Sequence, residues 1–208
     1  MAKGARKDKL PMRHAISIIC VGFLCSSAAL AAPLDFQDKL PADVLGMTVK
    51  HAKESEGRLI VFYGETVGRA TVTIAPALEA DTIKSSSATE MGVTPSAQRS
   101  LMQAIDQNLA GGTKALGTGY ETSPTKLSAL DVDGKQAICA LIERTQAKSN
   151  VASGKKQMFL LDRICTSQIG ADTVMVYVTT PINEPMRKKI TEDQLGFSAI
   201  IVKTLSER

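Results

Sequence analysis

The sequence predicts an α+β protein: an antiparallel sheet of about six strands packed by two main helices, forming a single domain once an N-terminal export signal is removed. Three observations lead there. Short β-branched and aromatic runs, bounded by Gly, Pro and polar residues, recur along the chain. Two stretches carry apolar residues at three- and four-residue spacing between recognisable helix ends. No Pro-rich or charge-block linker divides the 208 residues, and 44% hydrophobic with 22% charged residues is a globular composition. Five of the 25 basic and one of the 21 acidic residues lie within residues 1–31, so the remaining chain carries twenty of each. A neutral body lacks the clustered basic face of nucleic-acid binders and the polybasic patch that seeks anionic lipid.

The positive charges Lys3, Arg6, Lys7, Lys9 and Arg13 precede an uncharged stretch from Ala15 to Leu34 that is apolar from Ile16 to Leu24 and ends in Ala29-Leu30-Ala31. This is the order of a secretory signal: charged region, apolar region, small-residue cleavage site. Cleavage between Ala31 and Ala32 would leave residues 32–208 as the mature domain, in a periplasmic or secreted location. Met12 is an alternative start, and an uncleaved anchor is the alternative to cleavage, since the uncharged run nears the length of a membrane span. Cys20 and Cys25 lack the small-residue context of a lipoprotein site.

The first element of the domain is a strand over Arg58 to Tyr63, whose Leu-Ile-Val-Phe-Tyr run is too short for a buried helix. Arg69 to Ala75 alternates, with Ala70, Val72 and Ile74 on one face and Thr71 and Thr73 on the other, and the two strands form a hairpin. Thr94-Pro95 offers an N-cap and a first-turn proline, Ala97, Leu101, Ala104, Ile105 and Leu109 form an apolar stripe, and Gly111-Gly112 predicts the stop. From Gly111 to Thr125 the composition reads as an exposed loop. Strands are expected at Lys126 to Val132 and Lys135 to Thr145 around the turn Asp133-Gly134, then at Gln157 to Thr166 and Thr173 to Thr180. In the last, Val174, Val176 and Val178 should face the core. A terminal helix is expected from Thr191 and Gln194, which have capping-box spacing, with Phe197, Ile200, Ile201 and Leu205 as its stripe and Gly196 weakening its start.

This order, two strands, a helix, four antiparallel strands and a closing helix, resembles the PsbP-like group over roughly Gly57 to Leu205. The features carrying the likeness are the Asp133-Gly134 turn before a long strand, the Val174 to Val178 strand and the Ile200-Ile201-Val202-Lys203-Thr204-Leu205 stretch. The resemblance implies an accessory role in binding another protein or a small ligand, without a shared catalytic site.

Motifs that carry chemistry are sparse. Gly117-Thr118-Gly119 has no strand before it or helix after it to bind a phosphate. Asp131 to Gly134 opens like a calcium loop, but an apolar strand follows at once. Ser85-Ser86-Ser87 lies in a polar segment with no nucleophile elbow. His51, the sole histidine of the mature chain, has Glu54 as a neighbour, which falls short of a zinc ligand set. It reads as a surface histidine, the alternative being the base of a periplasmic hydrolase or transferase. The pairs Glu143-Arg144 and Asp162-Arg163 fall on alternate strand faces as candidate cross-strand ion pairs, with Arg163 a candidate for ligand recognition. Cys139 and Cys165 are the two mature cysteines and lie symmetrically about residue 152, so a hairpin centred there brings them opposite one another. A disulfide is expected, with two free thiols as the alternative. The expected function is that of an exported binding or accessory protein without catalytic chemistry or cofactors, its partner another envelope protein or a small ligand; a membrane-anchored envelope subunit is the other alternative.

Overall fold

The computed structural model describes residues 36, 38–65, 68–77, 94–116, 119–123, 125–151, 157–182 and 184–207. The signal segment, the cleavage pair Ala31 and Ala32, the Ser85 cluster, and Gly117 and Thr118 lie outside them. In chain order the elements are β1 (Asp43–Val44), β2 (Met47–Ser55), β3 (Arg58–Gly64), β4 (Arg69–Pro76), α1 (Pro95–Leu116), β5 (Tyr120–Thr122), β6 (Lys126–Val132), β7 (Lys135–Gln146), β8 (Phe159–Ile169), β9 (Asp172–Ile182) and α2 (Arg187–Ser206). The nine strands form one sheet in the order β1-β2-β3-β4-β9-β8-β7-β5, with β6 also paired to β7, and every pairing is antiparallel.

The sheet therefore exceeds the six strands expected. β1 and β2 escape notice because β1 is two residues long and β2, which it pairs only at Met47 and Thr48, has only Met47 buried, so its sequence shows no clean alternation. A bulge at Lys50 adds to this by shifting the register between Val49 and His51. Beyond the bulge the inward parity is reversed: Ala52 packs toward the main core, and His51 and Lys53 are turned to the opposite side of the sheet. β5 and β6 lie end to end along β7, with Thr122 opposite Arg144 and Lys126 opposite Leu141, a slip of one residue between them.

Two layers of helix enclose the sheet. α2 covers one face, where Phe197, Ile201 and Leu205 meet Leu59, Val61 and Tyr63 of β3, Ala70, Val72 and Ile74 of β4, and Val174, Val176 and Val178 of β9. The Val side of β9 faces this core as expected, and Tyr63 meets Phe197 edge to face at 5.3 Å. α1 covers only part of the other face, laying Ala97, Leu101, Ala104 and Ile105 on Ile138, Ala140 and Ile142 of β7 and Ile164 of β8.

The helix ends differ from expectation in two places. Thr94 caps α1 as its sequence suggests, its Oγ1 accepting from Ala97 N at 3.3 Å. The helix nevertheless runs through Gly111-Gly112 to Leu116, so the expected loop from Gly111 to Thr125 holds six more helical residues and then β5. Two glycines lower helix propensity, but by an amount that propagation of an established helix can absorb. α2 begins at Arg187, before Thr191 and Gln194. Thr191 Oγ1 donates to Arg187 O at 2.8 Å within the first turn, and Gln194 is buried, its Nε2 donating to Leu161 O of β8. Their spacing is that of one buried helix face and not of a cap. Ile200 is exposed, and Val202 takes its place in the core.

Candidate functional site

Because α1 lies over β7 and β8 but stops short of β3 and β4, a groove opens between the helix and the uncovered part of the sheet. Its two adjoining hollows measure about 260 and 270 Å³. Thr71 and Thr73 of β4 with Met175 and Tyr177 of β9 form the floor, and Ser100, Gln103, Ala104, Gln107 and Asn108 of α1 form one wall. Arg58 and Glu56, at the β2–β3 turn, close one end beside Pro76. Each floor residue is the outward partner of an inward valine or isoleucine on the same strand, so strand alternation alone places the polar set in the groove.

The other end of the groove rests on a buried ion pair. Arg144 of β7 and Asp162 of β8 are diagonal neighbours on the α1 side and pair directly, both side chains almost wholly buried. Tyr177 OH donates to Asp162 Oδ1 at 3.0 Å, and Arg144 Nη2 donates to Asn108 Oδ1 at 2.6 Å and Asn108 O at 3.1 Å. Burial draws the Arg144 guanidinium below its usual value, against an upward pull from Tyr177. The cluster ties α1 to the sheet at Asn108 and fixes the Tyr177 ring that floors the groove.

The other residues singled out by sequence lie elsewhere. His51 is exposed on β2, stacked on the Phe62 ring at 4.2 Å, with Lys53 over the same ring at 5.7 Å. No cluster of three metal-ligating side chains occurs among the described residues. The calcium-like Asp131 to Gly134 is a hairpin turn with Asp133 and Gly134 both at positive φ, and Asp131 Oδ1 accepts from Gly134 N at 3.0 Å.

Glu143 and Arg144 do face opposite sides: Glu143 pairs with Arg187 of α2 and Arg144 with Asp162. Arg163 is a correction. It is 3% exposed on the α2 side, away from the groove, and its Nε has no hydrogen-bond partner among the described residues. Burial lowers its pKa, and no carboxylate among the described residues compensates. It is a charge enclosed on the face of the sheet opposite the groove.

Cys139 and Cys165 stand directly opposite in the β7–β8 register, their Cα atoms 4.0 Å apart, and form a disulfide. The sequence symmetry about residue 152 therefore held. Sequence reasoning missed the groove, and it offered Arg144 and Asp162 as members of cross-strand ion pairs without saying which guanidinium meets which carboxylate. The available signals were charged residues in the middle of apolar strand runs, and glutamines four apart beside the apolar stripe of α1.

No family model and no curated protein matches the chain. Twelve solved chains do. One is a Pseudomonas aeruginosa protein of unknown function described as a putative regulator, 13% identical with a TM-score of 0.29, the match covering 72% of this chain and 94% of that one. Another is the Saccharomyces cerevisiae Ran-binding protein Mog1p, 10% identical with a TM-score of 0.29, covering 74% of this chain and 76% of that one.

Proposed function

We propose that the chain is an exported binding or accessory protein, acting without catalytic chemistry, whose partner lies in the groove between α1 and the open part of the sheet. The observation that carries this reading is the unequal covering of the sheet: α2 closes one face, while α1 leaves a groove of mixed apolar and polar lining on the other. That lining combines amides, hydroxyls, a methionine and a tyrosine with Arg58 and Glu56 at one end, which suits recognition. A disulfide between buried strands favours an oxidising compartment, and the signal-like segment 1–31 favours the periplasm or the exterior. The PsbP-like resemblance, resting on element order, agrees with an accessory role.

The test places a photo-crosslinking side chain at Gln107, on the groove wall, or at Lys188, exposed on α2 at the other side of the molecule. Adducts formed from Gln107 and not from Lys188 are the expected result. Equal labelling from both positions, or from Lys188 alone, removes the groove from the function. N-terminal sequencing of the exported product should find Ala32 first, and a membrane-retained chain keeping Ile16 to Leu24 would turn the reading toward an anchored envelope subunit.

A further inference from the structure

We infer that the groove takes an extended, acidic polypeptide segment of a partner protein. This rests on the binding reading above and names the chemistry of the occupant. Two ladders of polar side chains line the groove, one on its floor and one on its helical wall. Thr71 and Thr73 stand two residues apart on one face of β4, a repeat of about 6.6 Å. Gln103 and Gln107 stand four residues apart on α1, about 6 Å along its axis. Ser100 shares its hollow with Ala75 and Pro76, and Asn108 shares its own with Thr71, so α1 and β4 run in opposite directions along the groove.

An extended chain presents outward-facing N–H and C=O groups to the same side once every two residues, about 6.6 Å apart, and both ladders match that repeat within about 1 Å. A glutamine amide both donates and accepts, as does a threonine hydroxyl, so each rung can meet a backbone amide whatever side chain follows it. None of these four side chains is bonded to another described residue. Compact ligands have no such repeat to offer.

The charge around the groove selects the side chains. Arg58 lines one end, and Lys53 stands opposite Ile60, itself opposite Thr73. Arg69 lies two residues before Thr71 on the same face of β4. Among the described residues of the lining Glu56 is the one acidic side chain and offsets Arg58, so the surplus of positive charge comes from Lys53 and Arg69 just outside it. Cations at the rim of a contact steer encounter and reject like charge, and their effect weakens with salt.

The mature, disulfide-bonded chain is titrated with fluorescein-labelled decapeptides in which Glu alternates with Thr, with matched peptides carrying Lys in place of Glu, and with an oligogalacturonate as a carbohydrate polyanion. The Glu peptide is expected to bind at least about tenfold tighter than the Lys peptide, with the difference shrinking as salt rises. Arg58→Gln and Lys53→Gln should each weaken it by about threefold or more, and Glu56→Gln should strengthen it. Gln103→Ala, which removes one amide rung from an exposed helix face, should weaken binding by about threefold while melting curves stay near those of the parent, and Lys188→Gln should change nothing.

Equal binding of the Glu and Lys peptides, oligogalacturonate binding as tightly as the Glu peptide, or indifference to Arg58 and Lys53 overturns the inference. If the Gln107 crosslinks persist in that case, the groove still binds its partner and only the acidic chemistry is rejected. Loss of both rejects both readings.

Discussion

Three charged side chains on neighbouring strands, Arg144, Asp162 and Arg163, are all buried, yet their energetic roles differ because only two are paired. Removing one member of a buried pair leaves an uncompensated charge. Asp162→Asn should therefore cost about 3 to 5 kcal/mol in urea unfolding, and Tyr177→Phe, which removes one hydrogen bond to Asp162, about 1 to 2 kcal/mol. Arg163 has no carboxylate within ion-pair distance among the described residues, so Arg163→Met should be neutral or raise stability. A loss above about 2 kcal/mol for Arg163→Met would show that the guanidinium has a partner in the folded protein. Tyr63 gives a pH signature. Burial pushes its pKa up to about 12 from 10, and its hydroxyl donates to Pro41 O at 3.0 Å. The unfolded chain ionises first, so this contribution is whole below pH 10 and is lost between pH 10 and about 12, amounting to about 2 to 3 kcal/mol. Melting curves across that interval should show the loss in the parent protein and a smaller one in Tyr63→Phe. Residue type marked Arg144 and Asp162 as candidates for cross-strand pairing, but which of the four charges meet depends on register, and residue type does not set register.

At the scale of elements, local chemistry was readable wherever it followed a strong rule. Thr94-Pro95 opens α1, Asp133-Gly134 turns β6 into β7, and the alternation in β4 and β9 sets their inward faces. The hairpin turns Leu45-Gly46 and Glu56-Gly57 also place both residues at positive φ, but with residues that seldom adopt it, and so gave no signal. The Gly111-Gly112 stop failed for a related reason: a glycine ends a helix where a left-handed residue is needed, and Gly111 has an ordinary helical φ here. A Cβ added at Gly111 would meet nothing within 4 Å. Gly111→Ala should consequently stabilise the protein by about 0.5 to 1 kcal/mol, read as a higher urea midpoint at unchanged slope. Destabilisation would mean that the last turn of α1 needs the flexibility of glycine.

For the molecule as a whole, the disulfide joins the two central strands of the α1 core to each other. It spans a sequence separation of 26 residues and should stabilise the fold by about 3 to 4 kcal/mol on the chain-entropy model. Reduction should lower the melting temperature by about 10 °C. Both sulfurs are buried, so the native protein should resist thiol reagents, and its nonreducing mass should fall short of the reduced mass by two hydrogens. Two titratable thiols in the purified mature chain would remove the bridge along with the register drawn for β7 and β8.

By itself the sequence determined the α+β class, the order of most elements, the two faces of β4 and the inward face of β9, and the Cys139–Cys165 pairing. Each of these follows from short-range periodicity, turn chemistry or simple counting along the chain. Only the tertiary structure decided that the sheet has nine strands, that Arg163 is enclosed while Arg144 is paired, and that α1 stops short of β4. The groove is the consequence of that last fact. A site formed where a helix fails to cover a sheet depends on how far apart two elements pack, a distance set by side chains remote in sequence, and no local pattern encodes it.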